Sequence, residues 1–304
     1  MINSKNMEAV PPNTQSFDRN SFTKSTTLDA TYKFDRKLND ARFGEVTLLT
    51  DPATGHGVCY KERRISDKAE IEQIVQQATS ALQSRHASVS GLIDYSVAKT
   101  NELWSSAYAV RLYYEYTRWS MKDEIRKRFK LGDKFTGEEL THLLYQQIDA
   151  HLHLAERGAL PAILTPQRIA YSKERMETRL VHDAMETGKG DVLRQQQKRL
   201  VAGHNIYVSP TTFDLLKKEQ LDGAVDVEKE VVFALGLVIL EAGVGRSIQD
   251  IYNNQSKRFV KMGLKGHLKA FKARLWEFTT LCSTLRTMLS IDQQKCPTFE
   301  QVRS

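Results

Sequence analysis

The chain has 304 residues, 44 Lys+Arg against 37 Asp+Glu, and a formal net charge of +7. Its 40% hydrophobic and 27% charged content suits a globular chain with a sizeable core and excludes a disordered chain, a collagen-like repeat and a coiled coil. The longest apolar run, Val231 to Leu240, is ten residues, short of the roughly 18 that a membrane span needs. The opening Met1-Ile2-Asn3-Ser4-Lys5-Asn6 lacks the apolar segment of a secretory signal. The widely separated Cys59, Cys282 and Cys296 suit neither a zinc quartet nor a disulfide framework, so a cytoplasmic setting is expected. Acids are interspersed with the bases, which reads as solvated surface rather than a nucleic-acid face.

Residues 1–31 are polar, with Pro11-Pro12 and a Ser/Thr-rich stretch, and read as a flexible arm. From Tyr32 to Ile65 short β-like runs follow: Glu45 to Thr50 alternates, Asp51 to Gly57 is a turn, and Val58-Cys59-Tyr60-Lys61 returns. Ser66 or Asp67 caps an expected helix to about Ser84, with Ile71, Ile74, Val75, Ala78 and Leu82 on one stripe. Gly91 to Ser96 and Ala107 to Tyr116 read as further strands. After Tyr116 the texture turns helical, with expected helices at Met121 to Phe129, Thr136 to Arg157, Glu228 to Glu241, Ile248 to Asn253 and Leu275 to Met288. The expected fold class is therefore α+β, a small β-rich region followed by a larger helical one.

Several landmarks occur in an order that resembles the eukaryotic protein kinase domain over about Tyr32 to Val302. Leu38-Asn39-Asp40-Ala41-Arg42-Phe43-Gly44-Glu45-Val46 is similar to the phosphate-covering loop G-x-G-x-x-G-x-V, with only Gly44 and Val46 kept. Val58-Cys59-Tyr60-Lys61 resembles V-A-I-K, with Lys61 at the phosphate-pairing lysine. Its helix partner becomes Gln77, or Glu72 or Glu70 after a register shift. Leu112 to Tyr116 resembles the hinge, with Tyr114 at the gatekeeper position and Glu115 beside it. In Ala159 to Ile169 the catalytic aspartate becomes Ile163, the following lysine Thr165 and the metal-binding asparagine Arg168, with Pro166 and Ile169 holding register. His182-Asp183-Ala184 stands at D-F-G, with Asp183 taking the aspartate position after a slip of one residue. Gly203 to Thr211 resembles G-T-x-x-Y-M-A-P-E, Glu228 to Glu241 the central helix of the large lobe, and Met288 to Glu300 M-L-x-x-D-P-x-x-R-P-T-x-x-E.

The resemblance implies a bilobal fold: an antiparallel β small lobe with one main helix over 32–116, and a mainly helical large lobe over 117–304. It also implies a degenerate, pseudokinase-like member. Isoleucine at 163 cannot take a proton and arginine at 168 repels Mg²⁺. Losses come in partners: the buried ion pair between the A-P-E glutamate and the late arginine becomes Thr211 and Cys296, and the helix aspartate becomes Val231. The implied role is a scaffold or allosteric regulator whose partner is another protein, such as an active kinase or a signalling component. The alternative is a divergent kinase with residual phosphotransfer through Lys61 and Asp183. The degenerate nucleotide pocket would use Lys61, Gly44, Val46, Cys59, Glu115 and Asp183; no cofactor is required and no metal ligand is assigned. Any ATP would bind weakly, with little Mg²⁺ dependence. Elsewhere, Asp149, His151 and His153 read as structural or surface residues rather than metal-binding, Arg194 to Arg199 as a mobile loop or, as the other option, a docking segment, and Lys261 to Arg274 as a basic stretch between helices. That stretch is solvated surface or, as the other option, a face for an acidic or phosphate-bearing partner.

Overall fold

The computed structural model describes residues 16–18, 21–40, 42–83, 85–100, 107–173, 175–183, 192–253 and 258–304. Ala41, Ala184 and residues 1–15 of the expected arm lie outside them. The fold is α+β, with a five-stranded antiparallel sheet and ten α-helices among the described residues. The chain divides into two compact units, one of Met1–Arg85, Ser90–Arg118 and His182–Met185, the other of His86–Val89, Trp119–Val181 and Glu186–Ser304.

In the first unit α1 (Leu28–Thr31) leads into β1 (Lys33–Asp40), β2 (Gly44–Thr50) and β3 (Gly57–Ile65), followed by α2 (Lys68–Gln83), the Ser90 end of β4 (Val89–Ser90), β5 (Leu92–Lys99) and β6 (Tyr108–Tyr116). The sheet runs β1-β2-β3-β6-β5, antiparallel throughout. Here the expected strands and single long helix appear, α2 burying Ile71, Ile74, Val75 and Ala78 as its stripe requires. Part of the expected flexible arm is fixed in place. Lys24 pairs with Val97 through both backbone hydrogen bonds. Its buried ammonium lies 2.6 Å from Asp94 Oδ1 and donates to Tyr95 O at 2.8 Å. Leu28 and Tyr32 join Leu49, Val58 and Tyr113 in an apolar cluster. A buried, paired lysine is incompatible with a solvated arm.

The second unit begins its helical part with α3 (Met121–Leu131) and α4 (Gly137–Ala155), each started by a capping box, Ser120 with Asp123 and Thr136 with Glu139. A hairpin follows, β7 (Ile169–Ser172) with β8 (Glu177–Val181). Then come α5 (Val192–Val201), α6 (Pro210–Lys217), α7 (Val227–Val244), the short pair β9 (Tyr252–Asn253) and β10 (Arg258–Phe259), α8 (Lys261–Arg274), α9 (Thr279–Met288) and α10 (Phe299–Arg303). Four expectations change. The Arg194 to Arg199 run is helical in α5, held by buried Leu193 and Gln196. Ile248 to Asn253 is a single 3₁₀ turn running into β9. The basic stretch is itself helix α8, and the helix expected from Leu275 starts at Thr279.

Helix α7 is buried on nearly its whole circumference, so it is the axis of this unit's core. A Cβ on Gly243 would stand 2.1 Å from the Phe271 ring, so this glycine lets α8 close onto α7. Two carboxylates on α7 organise the segment before α6. Glu230 accepts from Ser209 N–H at 2.8 Å and from Thr212 Oγ1 at 2.7 Å. Glu241 accepts from the Tyr207 hydroxyl and lies 3.5 Å from Lys122 Nζ. Tyr252 completes the fastening, receiving Val208 N–H at 2.9 Å and donating to Val208 O at 2.7 Å.

Desolvation pushes the Glu230 carboxyl above its ordinary value, and the Ser209 and Thr212 hydrogen bonds only partly offset that. Its contribution is therefore full below the unfolded pKa, near 4.5, and is lost as pH rises through the folded pKa. Glu230→Gln keeps an acceptor for Ser209 and removes the charge. The melting temperature of this variant relative to wild type is expected to climb between acidic and neutral pH. Glu230→Ala strands two buried donors and is expected to destabilise at every pH, by about 1–3 kcal/mol per donor. Melting curves across pH check both.

Candidate functional site

The site lies on one face of the five-stranded sheet. Strand alternation puts Gly44, Val46 and Leu48 of β2, Cys59 and Lys61 of β3, and Leu112, Tyr114 and Tyr116 of β6 on this face. Tyr113 and Glu115 take the other, where Tyr113 packs beside Tyr32. The structure thus brings Lys61, Gly44, Val46, Cys59 and Asp183 together and turns the Glu115 side chain away from them. The alternation was legible in the sequence and would have excluded Glu115's side chain from this face.

Lys61 forms an ion pair with Asp183, and Tyr114 donates its hydroxyl to the other carboxylate oxygen at 2.8 Å. Asp183, rather than His182, is therefore the residue that meets the lysine. It also replaces the expected helix partner. Glu70 receives Arg63 at 2.7 Å instead, and Ile74 is the α2 side chain lining the hollow of about 180 Å³ beside Lys61, with Phe43, Val110 and Leu112. Burial drives the Tyr114 hydroxyl well above its usual pKa, reinforced by the adjacent Asp183 charge. Burial likewise pushes the Cys59 thiol up to about 12, so it is a protonated packing group rather than a nucleophile.

The turn between β1 and β2 contributes what sequence reasoning missed. Gly44 has φ +76°, the left-handed conformation that closes the turn, and a Cβ there would meet nothing within 4 Å. A glycine at this position has a local backbone cause, independent of any phosphate. Arg42, from the same turn, folds inward. Its guanidinium grips Asp40 in a fork, Nε to Oδ1 at 2.9 Å and Nη2 to Oδ2 at 2.7 Å. Nη1 donates to the Thr117 carbonyl at 2.6 Å, and the charge sits 4.9 Å over the Tyr116 ring. Phe43 is buried against Tyr114, ring centroids 4.9 Å apart. Burial alone would raise Asp40; the Arg42 hydrogen bonds and charge outweigh it and hold the carboxyl below its usual range. The only sequence signal was two opposite charges two residues apart in a turn, which commonly means solvated surface.

In the second unit, Ile163 is buried with Ala162 and Val192 in a small apolar cluster. Thr165 is buried, and Arg168 ends a 3₁₀ turn. Thr211 is exposed, whereas Cys296 is buried with its thiol directed at the Met288 and Lys229 carbonyls. His151 is buried and stacked on Phe299, while Asp149 lies 3.3 Å from His86 Nε2. Among the described residues no group of three or more His, Cys, Asp or Glu side chains is placed to hold a metal ion, and no helix is long and apolar enough to cross a membrane. No protein-family model matches the chain, and no curated protein matches it.

Removing Arg42 alone leaves the Asp40 charge buried. Arg42→Met is expected to cost about 3–5 kcal/mol, whereas Arg42→Met with Asp40→Leu should recover most of that loss. Urea unfolding of both variants and of Asp40→Leu gives the coupling; equal, small losses in all three would show that the pair does not hold the turn.

Proposed function

We propose that the chain is a catalytically inactive protein-kinase-like domain, the first compact unit its small lobe and the second its large lobe, acting as a protein-binding scaffold or allosteric regulator. The observation that carries this reading is the inward fold of Arg42 and Phe43. In an active member the turn between the first two strands covers phosphate with backbone amides. Here that turn sends its own guanidinium to the Thr117 carbonyl, at the end of the hinge-like strand, and its own aromatic ring onto Tyr114. One carbonyl at the end of that strand is thus taken by the protein's own guanidinium.

Three further features support the reading. The antiparallel order β1-β2-β3-β6-β5, with α2 following β3, suits the small lobe of the resembled family. An isoleucine in an apolar cluster at the position of the catalytic base can neither accept nor relay a proton. The segment flanking Thr211 is fastened by Glu230 through Ser209 and Thr212, with no arginine in that role among the described residues. The second reading, residual phosphotransfer, is favoured by the Lys61–Asp183 pair, which keeps a phosphate-facing cation beside a carboxylate able to hold a metal.

Thermal melting with millimolar ATP, with and without Mg²⁺, separates the two. A micromolar site would add about 4 kcal/mol of stability under those conditions, a shift of several degrees. No such shift is expected, and no γ-phosphate transfer to the protein or to generic substrates. A Mg²⁺-dependent shift of that size, abolished by Lys61→Ala and accompanied by transfer, would establish the second reading.

A further inference from the structure

Helix α8 has an unpartnered face of one charge. Its sequence, Lys-Met-Gly-Leu-Lys-Gly-His-Leu-Lys-Ala-Phe-Lys-Ala-Arg, contains five Lys and Arg and no acid. At about 100° per residue, Lys261, Lys265, Lys269 and Lys272 fall within an arc of about 80° and span about 16 Å along the axis. Opposite them, Leu264, His267 and Phe271 are buried. All four lysines are exposed, and none has an ion-pair or hydrogen-bond partner among the described residues. Nearby acids lie off the stripe: Asp250 bonds His267 on the buried side at 2.7 Å, and Glu277 lines a separate groove with Glu138.

Like charges one helical turn apart repel, so the stripe weakens the helix that carries it. Among the described residues no acid forms an ion pair with these lysines. Two large side chains stand exposed at its ends: Met262, 73% exposed, on the arc continuing the lysines, and Trp276, 67% exposed, just past the helix. A Cβ on Gly266, on the same open side, would meet nothing within 4 Å, so no internal contact requires its lack of a side chain.

We propose that the exposed face of α8 is a peripheral binding surface for an anionic lipid bilayer, its lysines attracted to the charged headgroups while Met262 and Trp276 enter the interface. Lysines suit a diffuse negative plane. The forked recognition of individual phosphates or carboxylates would favour arginine, and the stripe has none. Exposed tryptophan and methionine beside the charges supply the apolar contact that a plane of headgroups accepts.

Co-sedimentation of the full chain with vesicles of phosphatidylcholine alone, or with about 30% phosphatidylserine, tests this. Binding is expected only to the anionic vesicles, falling at least tenfold as salt rises from about 0.1 to 0.5 M because the Debye length shrinks. Lys265→Ala with Lys269→Ala should lower partitioning by roughly 25-fold, about fivefold for each charge, without lowering the melting temperature. In a Trp104→Phe/Trp119→Phe background, the Trp276 emission should shift to the blue on anionic vesicles. The proposal is overturned by absence of binding, by equal binding to neutral vesicles, or by an unchanged double variant. Capture by polyglutamate or single-stranded RNA with anionic vesicles left unbound would assign the face to an acidic macromolecule instead.

Discussion

A guanidinium cannot shed its charge inside a protein, so burying Arg42 obliges its surroundings to supply acceptors in a planar fork. Asp40 fills two of those directions and the Thr117 carbonyl a third, while the face of Tyr116 lies beneath the charge. Much of the candidate site follows from this demand. Arg42 has to enter from a short turn, which Gly44 closes with a positive φ, and the neighbouring Phe43 is buried on Tyr114. Tyr114, thus covered, directs its hydroxyl to Asp183, the same carboxylate that neutralises Lys61. Two ion pairs and two aromatic contacts therefore form one network on one sheet face.

The buried carboxylate of Glu230 on α7 solves a related problem differently. Glu230 is met by a backbone amide and a hydroxyl rather than a cation, so its charge stays costly and its pKa is raised. Asp40 is met by a cation, and its pKa is lowered. The consequence is opposite pH behaviour in the two units. The contribution of Asp40 holds above the unfolded carboxylate pKa and is lost as pH falls through its depressed folded value; that of Glu230 holds in acid and is lost as pH rises. A single melting curve at one pH would hide this division.

What the sequence made legible was whatever is local and periodic. The stripe of α2, the Thr136–Glu139 capping box and the apolar length of α7 are each written within one element. Lys61 and Asp183 were both marked as candidates, yet their pairing joins positions 122 residues apart, and only the folded chain shows that Asp183 meets Lys61 where Gln77, or Glu72 or Glu70, was expected. Arg42 escaped notice because a charge pair inside a turn has the same appearance whether solvated or buried. Glu230 carried a usable signal: a carboxylate opening a run of buried apolar residues needs donors, and Ser209 lies within, and Thr212 directly after, a segment already marked as a landmark. Helix α8 was concealed by Gly263 and Gly266, which lower helix propensity by roughly 1 kcal/mol each, and by lysines that made the stretch read as loop. Packing of Phe271 into the space left by Gly243 overrides that preference.

The segment from Ile206 to Phe213 bears on what such a domain can do. Gln249 takes both backbone groups of Ile206, Tyr252 both of Val208, and Glu230 the amide of Ser209. Tyr207 is buried with its hydroxyl on Glu241, and Phe213 packs on Tyr252. A segment that switches between two arrangements needs alternatives of similar free energy, within a few kcal/mol. Here a second arrangement would have to break several buried hydrogen bonds at once, each leaving a donor or acceptor unsatisfied. On the proposed reading, this stretch is a fixed part of the fold rather than a switch. A partner would then be recognised by the shape and charge of a surface rather than by a change of state in this loop.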